Sequence, residues 1–188
     1  MGFTRQSAFH EAGHALISLR MCESLVSTSI DADGCGLTRS GPVPDYHKRL
    51  CLFCAGEVSE NILGTGSLGY SARDDRAQAT ELIANARWMR VREIADPWQT
   101  PDGRRAWSET EAMLRRYRHH VATIAEKLWL NTYLSGADVS RIVAGLPDAA
   151  PANTGEVPLS VLRRRVTLNA RERRYNEQCA ASFRSVAR

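Results

Sequence analysis

The sequence of 188 residues predicts a single, mainly helical (mainly α, α+β) domain with a small β-hairpin or sheet. Apolar residues recur at helical spacing in several long segments, whereas β-branched residues are concentrated in one short segment. With 43% hydrophobic and 24% charged residues, the composition is that of a globular chain. The length suits one domain with an appendage, so we do not expect a separate motor domain.

The N-terminal segment has the pattern of an amphipathic helix. Between about Thr4 and Leu19, alanine and leucine follow the i, i+4, i+7 rule of an apolar stripe, with Thr4 as N-cap. The segment from Leu25 to Ile30 is rich in β-branched residues, and Asp-Ala-Asp-Gly and Cys-Gly-Leu-Thr follow it. This pattern predicts a strand and a sharp return, which we expect to form the only sheet.

Four more helices are predicted from apolar periodicity and capping residues: Tyr46–Leu63, Ser71–Ile94, Ser108–Leu130 and Ser135–Val143. Gly64 would close the first of these. Ser71 and Asp74 have the spacing of a capping box at the start of the second. Proline and glycine between residues 96 and 103 predict an irregular connection.

The chain divides into a domain over residues 1–146 and a linker with an Arg-rich extension over residues 147–188. Residues 151–188 carry 8 basic against 3 acidic side chains, whereas the preceding 150 residues are nearly balanced. The extension could bind nucleic acid, an acidic partner or an anionic membrane surface, or it could be a solvated helix that packs on the domain.

The sequence predicts a cytoplasmic protein. No apolar run is long enough for a membrane span, and the N-terminus lacks the apolar centre of a signal peptide. The five cysteines, an odd number, predict free thiols. Cys51 and Cys54 have metal-like spacing, but without a second such pair we interpret them as packing thiols.

An H-E-x-x-H motif, His10 to His14, lies on the predicted first helix. Four residues advance a helix by about 400°, so His10 and His14 share one face and can bind one zinc ion. Glu11 stands about 100° away, where it can reach a water on that metal. Gly13 costs about 1 kcal/mol relative to alanine, which suggests close approach of another backbone. The motif indicates a zinc peptidase, although a surface histidine pair can have the same pattern.

A catalytic zinc needs a third protein ligand and one open position. The extended metzincin pattern is absent, because Ile17 and Arg20 stand where glycine and histidine are required. The candidate third ligands are His47, His119, His120, Glu57, Glu60, Asp74 and Asp75.

Helical periodicity separates the two adjacent aspartates. Asp74 leads a polar face and should point to solvent, whereas Asp75 leads an apolar face and should point inward. The positions that follow Asp75 on its face are Ala79, Leu82, Ile83 and Ala86. An interior carboxylate needs a partner, so Asp75 is either a metal ligand or half of a buried salt bridge.

Several motifs, in order along the chain, resemble the peptidase domain of the FtsH-like (M41-type) ATP-dependent zinc metalloproteases. Residues 8–15 look like that family's zinc helix, and residues 28–38 look like its strand and return. Residues 55–64 are similar to its G-G-R-x-A-E-E-L-x-x-G helix, and residues 69–80 to its G-A-S-x-D-x-x-x-A-T element, with one extra residue before the aspartate pair. Residues 115–138 are similar to its closing helices.

The resemblance implies a zincin-like helical peptidase domain without the family's transmembrane and AAA+ parts. It implies Zn²⁺ as cofactor, with His10, His14 and Asp75 as ligands. It also implies that Glu11 is the general base. Glu60, which matches a family glutamate, is a rival ligand or a support for one.

The predicted function is that of an ATP-independent zinc endopeptidase acting on unfolded or partner-delivered polypeptides. We expect the strand at Ser27, Thr28, Ser29 and Ile30 to be the edge to which an extended substrate adds. No Walker A sequence is present, so ATP-driven unfolding would need a separate ATPase, and the family implies a homo-oligomer. The alternative is a catalytically inactive binding or adaptor module that uses its basic tail for nucleic acid or a partner protein.

Overall fold

A computed structural model describes residues 5–31, 34–63 and 72–147 of the protein. These residues form a mainly helical fold with one small antiparallel sheet, as predicted. The elements are α1 (Arg5–Ile17), β1 (Leu25–Ile30), β2 (Gly36–Ser40), α2 (Tyr46–Ile62), α3 (Arg73–Arg87), α4 (Pro101–Arg116), α5 (Arg118–Asn131), β3 (Tyr133–Ser135) and α6 (Gly136–Ala144). Thr4, Gly64, Ser71 and the Arg-rich extension lie outside the described residues.

Helix α1 is the centre of the fold and packs against α2, α5, β1 and β2. Its predicted apolar stripe is buried, with Ala12 and Leu16 fully inaccessible. A Cβ atom on Gly13 would overlap the carbonyl oxygen of Ala55 on α2. The predicted close approach of another backbone at Gly13 is therefore confirmed. Among the described residues, no helix combines the length and the apolar character that crossing a bilayer requires.

The sheet has the strand order β2-β1-β3, so β1 is its central strand. β1 has the predicted bounds, but β3 was not predicted. The expectation that Ser27, Thr28, Ser29 and Ile30 form a docking edge is wrong. Residues 27–29 pair with both neighbouring strands, and the Ile30 amide donates to Thr132 O at 2.9 Å. An added strand must therefore use another edge of the sheet. The outer strand that packs against α1, the helix with the H-E-x-x-H motif, is β2.

Two of the predicted helices differ in extent from the observed ones. α3 ends at Arg87 because Trp88 adopts a left-handed conformation with φ 55°. α4 begins inside the predicted irregular connection, where Thr100 caps it by accepting a hydrogen bond from the Gly103 amide at 3.1 Å. Pro101 is tolerated at the first position of α4 because the backbone N–H that proline lacks would have no partner within the helix there. The predicted helix 108–130 is interrupted at Tyr117, where the backbone leaves the helical region.

Candidate metal centre

The side chains of His10, His14 and Asp75 converge on one point between α1 and α3. Nε2 of His10 and Nε2 of His14 each lie 3.1 Å from Asp75 Oδ2, and the two nitrogens are 3.0 Å apart. Three ligand atoms of a tetrahedral zinc ion, each at about 2.0–2.1 Å from it, lie about 3.3–3.4 Å from one another. The observed triangle is slightly contracted from that geometry, and it brings together the three predicted ligands.

The outer nitrogens of both rings are already engaged in hydrogen bonds. His14 Nδ1 lies 2.8 Å from the Leu52 carbonyl oxygen, which can only accept, so this nitrogen carries the proton. His10 Nδ1 lies 3.0 Å from Glu60 Oε1 and donates to that carboxylate. Two imidazole lone pairs and a carboxylate oxygen therefore face one another, which is favourable only when positive charge lies between them. The donor set fits a divalent metal.

Protons and a metal compete for this centre. Burial would lower the pKa of His10, but hydrogen bonds with Asp75 and Glu60 outweigh it and raise the pKa to about 10. Burial would also lower the pKa of His14, but the charge of Asp75 and the hydrogen bond with it together raise this pKa. Burial would raise the pKa of Asp75, but the His14 charge and hydrogen bonds with both histidines lower it instead. The site therefore favours added positive charge, whether as protons or as a metal ion.

Zinc affinity should fall as the pH falls, because the pKa of His10 is raised to about 10 and the pKa of His14 is raised above its ordinary value, so protons compete with the metal for these nitrogens. Each proton that the metal displaces costs about tenfold in affinity per pH unit below the histidine pKa. Titration calorimetry in two buffers of different ionisation enthalpy measures the number of protons released. Zinc affinity that is constant across roughly pH 6 to 8 would contradict this description of the centre.

Glu60 supports His10 and does not join the converging donors. Its side chain is fully buried, and it faces Nδ1, whereas the metal-facing nitrogen is Nε2. Gln6 Nε2 donates to the second carboxylate oxygen of Glu60 at 3.4 Å. The rival role of Glu60 as a ligand therefore has less geometric support than the role of orienting the ring.

Glu11 lies beside the centre under strand β2. Thr38 Oγ1 donates to Glu11 Oε2 at 2.6 Å, and a Cβ atom on Gly36 would overlap the Glu11 side chain. The charge of Glu11 contributes to the raised pKa of both His10 and His14. Glu11 is not one of the three converging donors, so its carboxylate remains available to accept a proton.

An ion-pair network that the sequence did not predict fixes the helix that carries Asp75. Arg76 donates to both carboxylate oxygens of Glu57 on α2, at 3.0 and 2.6 Å, and to Asp96 at 3.2 Å. Trp98 Nε1 donates to Glu57 Oε2 at 3.1 Å. α3 is thereby attached to α2 one residue from the inward aspartate. Arg76 and Glu57 are 19 residues apart on separate helices, so no local sequence pattern signals the pair.

The chain matches no known family model and no curated protein. The functional interpretation therefore depends on the motifs and on the geometry of the centre. That geometry agrees with the periodicity argument, because Asp74 is exposed while the Asp75 side chain is only 17% exposed. The remaining histidine candidates lie elsewhere: His119 is exposed, His120 packs edge-on against Tyr117, and His47 pairs with Glu109.

Gly56 provides the space that the His10 ring occupies, because a Cβ atom there would overlap the imidazole. Gly56→Ala should therefore displace the ring and reduce zinc affinity by at least about tenfold, although alanine favours the helix by about 1 kcal/mol. Zinc competition with a chelator measures the affinity, and circular dichroism measures the helix content. Gly145→Ala is the matched control, because the nearest atoms to its Cβ would be 3.5 and 3.7 Å away. Equal affinities in the two variants would contradict the role of Gly56.

Proposed function

We propose that the protein is a zinc-dependent endopeptidase that resembles the FtsH-like (M41-type) peptidases. The observation that carries the proposal is the convergence of His10, His14 and Asp75 at 3.0 to 3.1 Å with both outer imidazole nitrogens already bonded. Glu11 beside this centre completes the set of groups that metal-assisted peptide hydrolysis requires.

The metal would be held by the two histidines and the aspartate, with one coordination position left open. Zinc, when bound, supplies a Lewis acid that polarises a carbonyl and lowers the pKa of water to about 7. Glu11 accepts the proton of the attacking water and later delivers it to the leaving amine. Thr38 orients Glu11 through the 2.6 Å hydrogen bond, which occupies one carboxylate oxygen and leaves the other for the water.

The outer edge of β2 is the proposed place where substrate binds. Gly36 and Thr38 of this strand lie directly against Glu11, so a peptide that pairs with β2 passes the proposed base. Strand addition requires an extended backbone, which favours unfolded polypeptides or segments delivered by a partner. Because the sequence contains no Walker A motif, we propose that folded substrates need a separate ATPase.

Casein hydrolysis tests the proposed activity. The purified protein should cleave casein, lose this activity to a chelator and regain it when zinc is restored. Zinc binding at the centre without hydrolysis under any of these conditions would support the alternative, a catalytically inactive adaptor module. Binding of the Arg-rich extension to RNA or DNA, weakened steeply by salt, would add support to that alternative.

A further inference from the structure

We propose that His47, Cys51 and Glu109 form a second metal site, specific for a thiophilic divalent cation such as Zn²⁺. His47 and Cys51 are one turn apart on α2, and Glu109 reaches them from α4. The ligand atoms of all three side chains lie within 4.8 Å of one another. Neither the H-E-x-x-H motif nor the proposed peptidase activity requires this second group.

The distances suit a metal that joins the two helices. Cys51 Sγ lies 3.7 Å from His47 Nε2, close to the roughly 3.5 Å between the sulfur and nitrogen ligands of a tetrahedral zinc. His47 Nε2 lies 2.7 Å from Glu109 Oε2, which is shorter than the roughly 3.3 Å expected between two such ligands. The Glu109 side chain is 47% exposed, so a change of rotamer can supply the difference without moving α4.

The donor set selects the class of metal. Thiolate and imidazole together favour zinc over magnesium or calcium, which prefer oxygen ligands. An ion can enter from solvent past His47 and Glu109, whose side chains are partly exposed, and a water can occupy the fourth position. Burial raises the pKa of the Cys51 thiol to about 11, so the metal must displace the thiol proton, which leaves to solvent.

The two cysteines of the C-x-x-C pattern differ in their surroundings. Cys54 Sγ contacts Thr110 Oγ1 at 3.3 Å and the Cys51 carbonyl oxygen at 3.4 Å, so it is a packing thiol, as predicted. Cys51 Sγ instead lies 3.7 Å from His47 Nε2 and 3.8 Å from Ala106 O, and it also interacts with the Thr110 side chain. Cys54 is therefore a matched control for Cys51 on the same helix.

Cobalt substitution distinguishes this site from the first centre. The metal-free full chain is titrated with Co²⁺, and the near-ultraviolet thiolate-to-cobalt charge-transfer band is recorded with the number of equivalents bound. The His10–His14–Asp75 centre has no sulfur ligand, so the band reports the second site alone. We expect the wild-type chain and Cys54→Ser to show the band and bind two equivalents. Cys51→Ser should lose the band and one equivalent.

His47→Ala tests the site without disturbing a buried residue. It should weaken the cobalt affinity measured from the band by at least about tenfold, because losing a ligand costs at least as much as losing a residue that supports one. Asp75→Asn should leave the band unchanged, which separates failure of the second site from failure of the first. A wild-type chain without the band, or a band that persists in Cys51→Ser, would overturn the proposal.

Discussion

Glu11→Gln should slow peptide hydrolysis by orders of magnitude while zinc stays bound. The glutamine amide oxygen can still accept the hydrogen bond from Thr38, so the side chain keeps its place, but a neutral amide cannot take the proton of the attacking water. Loss of a general base reduces rates by roughly 10²- to 10⁴-fold. Casein cleavage measures the rate, and elemental analysis measures the metal content.

Thr38→Val provides a graded comparison for the base. Valine has nearly the same shape as threonine but cannot donate to Glu11, so this variant should retain zinc and slow hydrolysis less than Glu11→Gln does. If Glu11→Gln retains the wild-type rate, another group accepts the proton and the proposed mechanism is wrong. If Glu11→Gln loses zinc, the Glu11 side chain itself takes part in metal binding, although it is not one of the three converging donors.

Asp75→Asn should remove zinc from the centre and hydrolysis with it. The amide is neutral and a poorer ligand, so only the two histidines would remain. We expect zinc affinity to fall by at least about 100-fold, since mutating residues that only support a ligand already reduces metal affinity by about 10- to 100-fold. Competition with a chelator of known affinity measures the change, and casein cleavage measures the loss of activity.

Asp74→Asn is the matched control, because it makes the same chemical change on the same turn of α3, at an exposed position. It should leave zinc affinity and hydrolysis unchanged. Zinc loss in Asp74→Asn but not in Asp75→Asn would reverse the assignment of the two aspartates. If neither substitution affects zinc affinity, Glu60 becomes the third ligand. Glu60→Gln should then reduce zinc affinity by more than the roughly 10- to 100-fold expected for losing a residue that only supports a ligand.

Local periodicity predicted the parts of the centre that lie on single helices. His10 and His14 share a face because they are four residues apart, and Asp75 points inward because apolar positions follow it. The start of α6 was also predicted, and Ser135 and Asp138 form the capping box that begins that helix. Each of these features depends only on residues of the same helix or its cap.

The features that sequence reasoning missed depend on distant pairings. β3 has three residues, too few for an alternating pattern, and it is a strand only because it pairs with β1. The central position of β1 follows from that second pairing, which is why the docking edge was misplaced. Arg76 and Glu57 meet through the packing of α3 on α2. No property of either residue alone indicates that contact.

The two metal-facing imidazoles differ in how their protonated nitrogens are secured. His14 relies on a main-chain oxygen at Leu52, whereas His10 relies on the side chain of Glu60. A missense change at position 52 still leaves a carbonyl in place, but most changes at position 60 delete the acceptor oxygen. Substitutions should therefore be tolerated far better at position 52, beside His14, than at position 60, beside His10. Measuring zinc binding across a set of random variants would detect this difference.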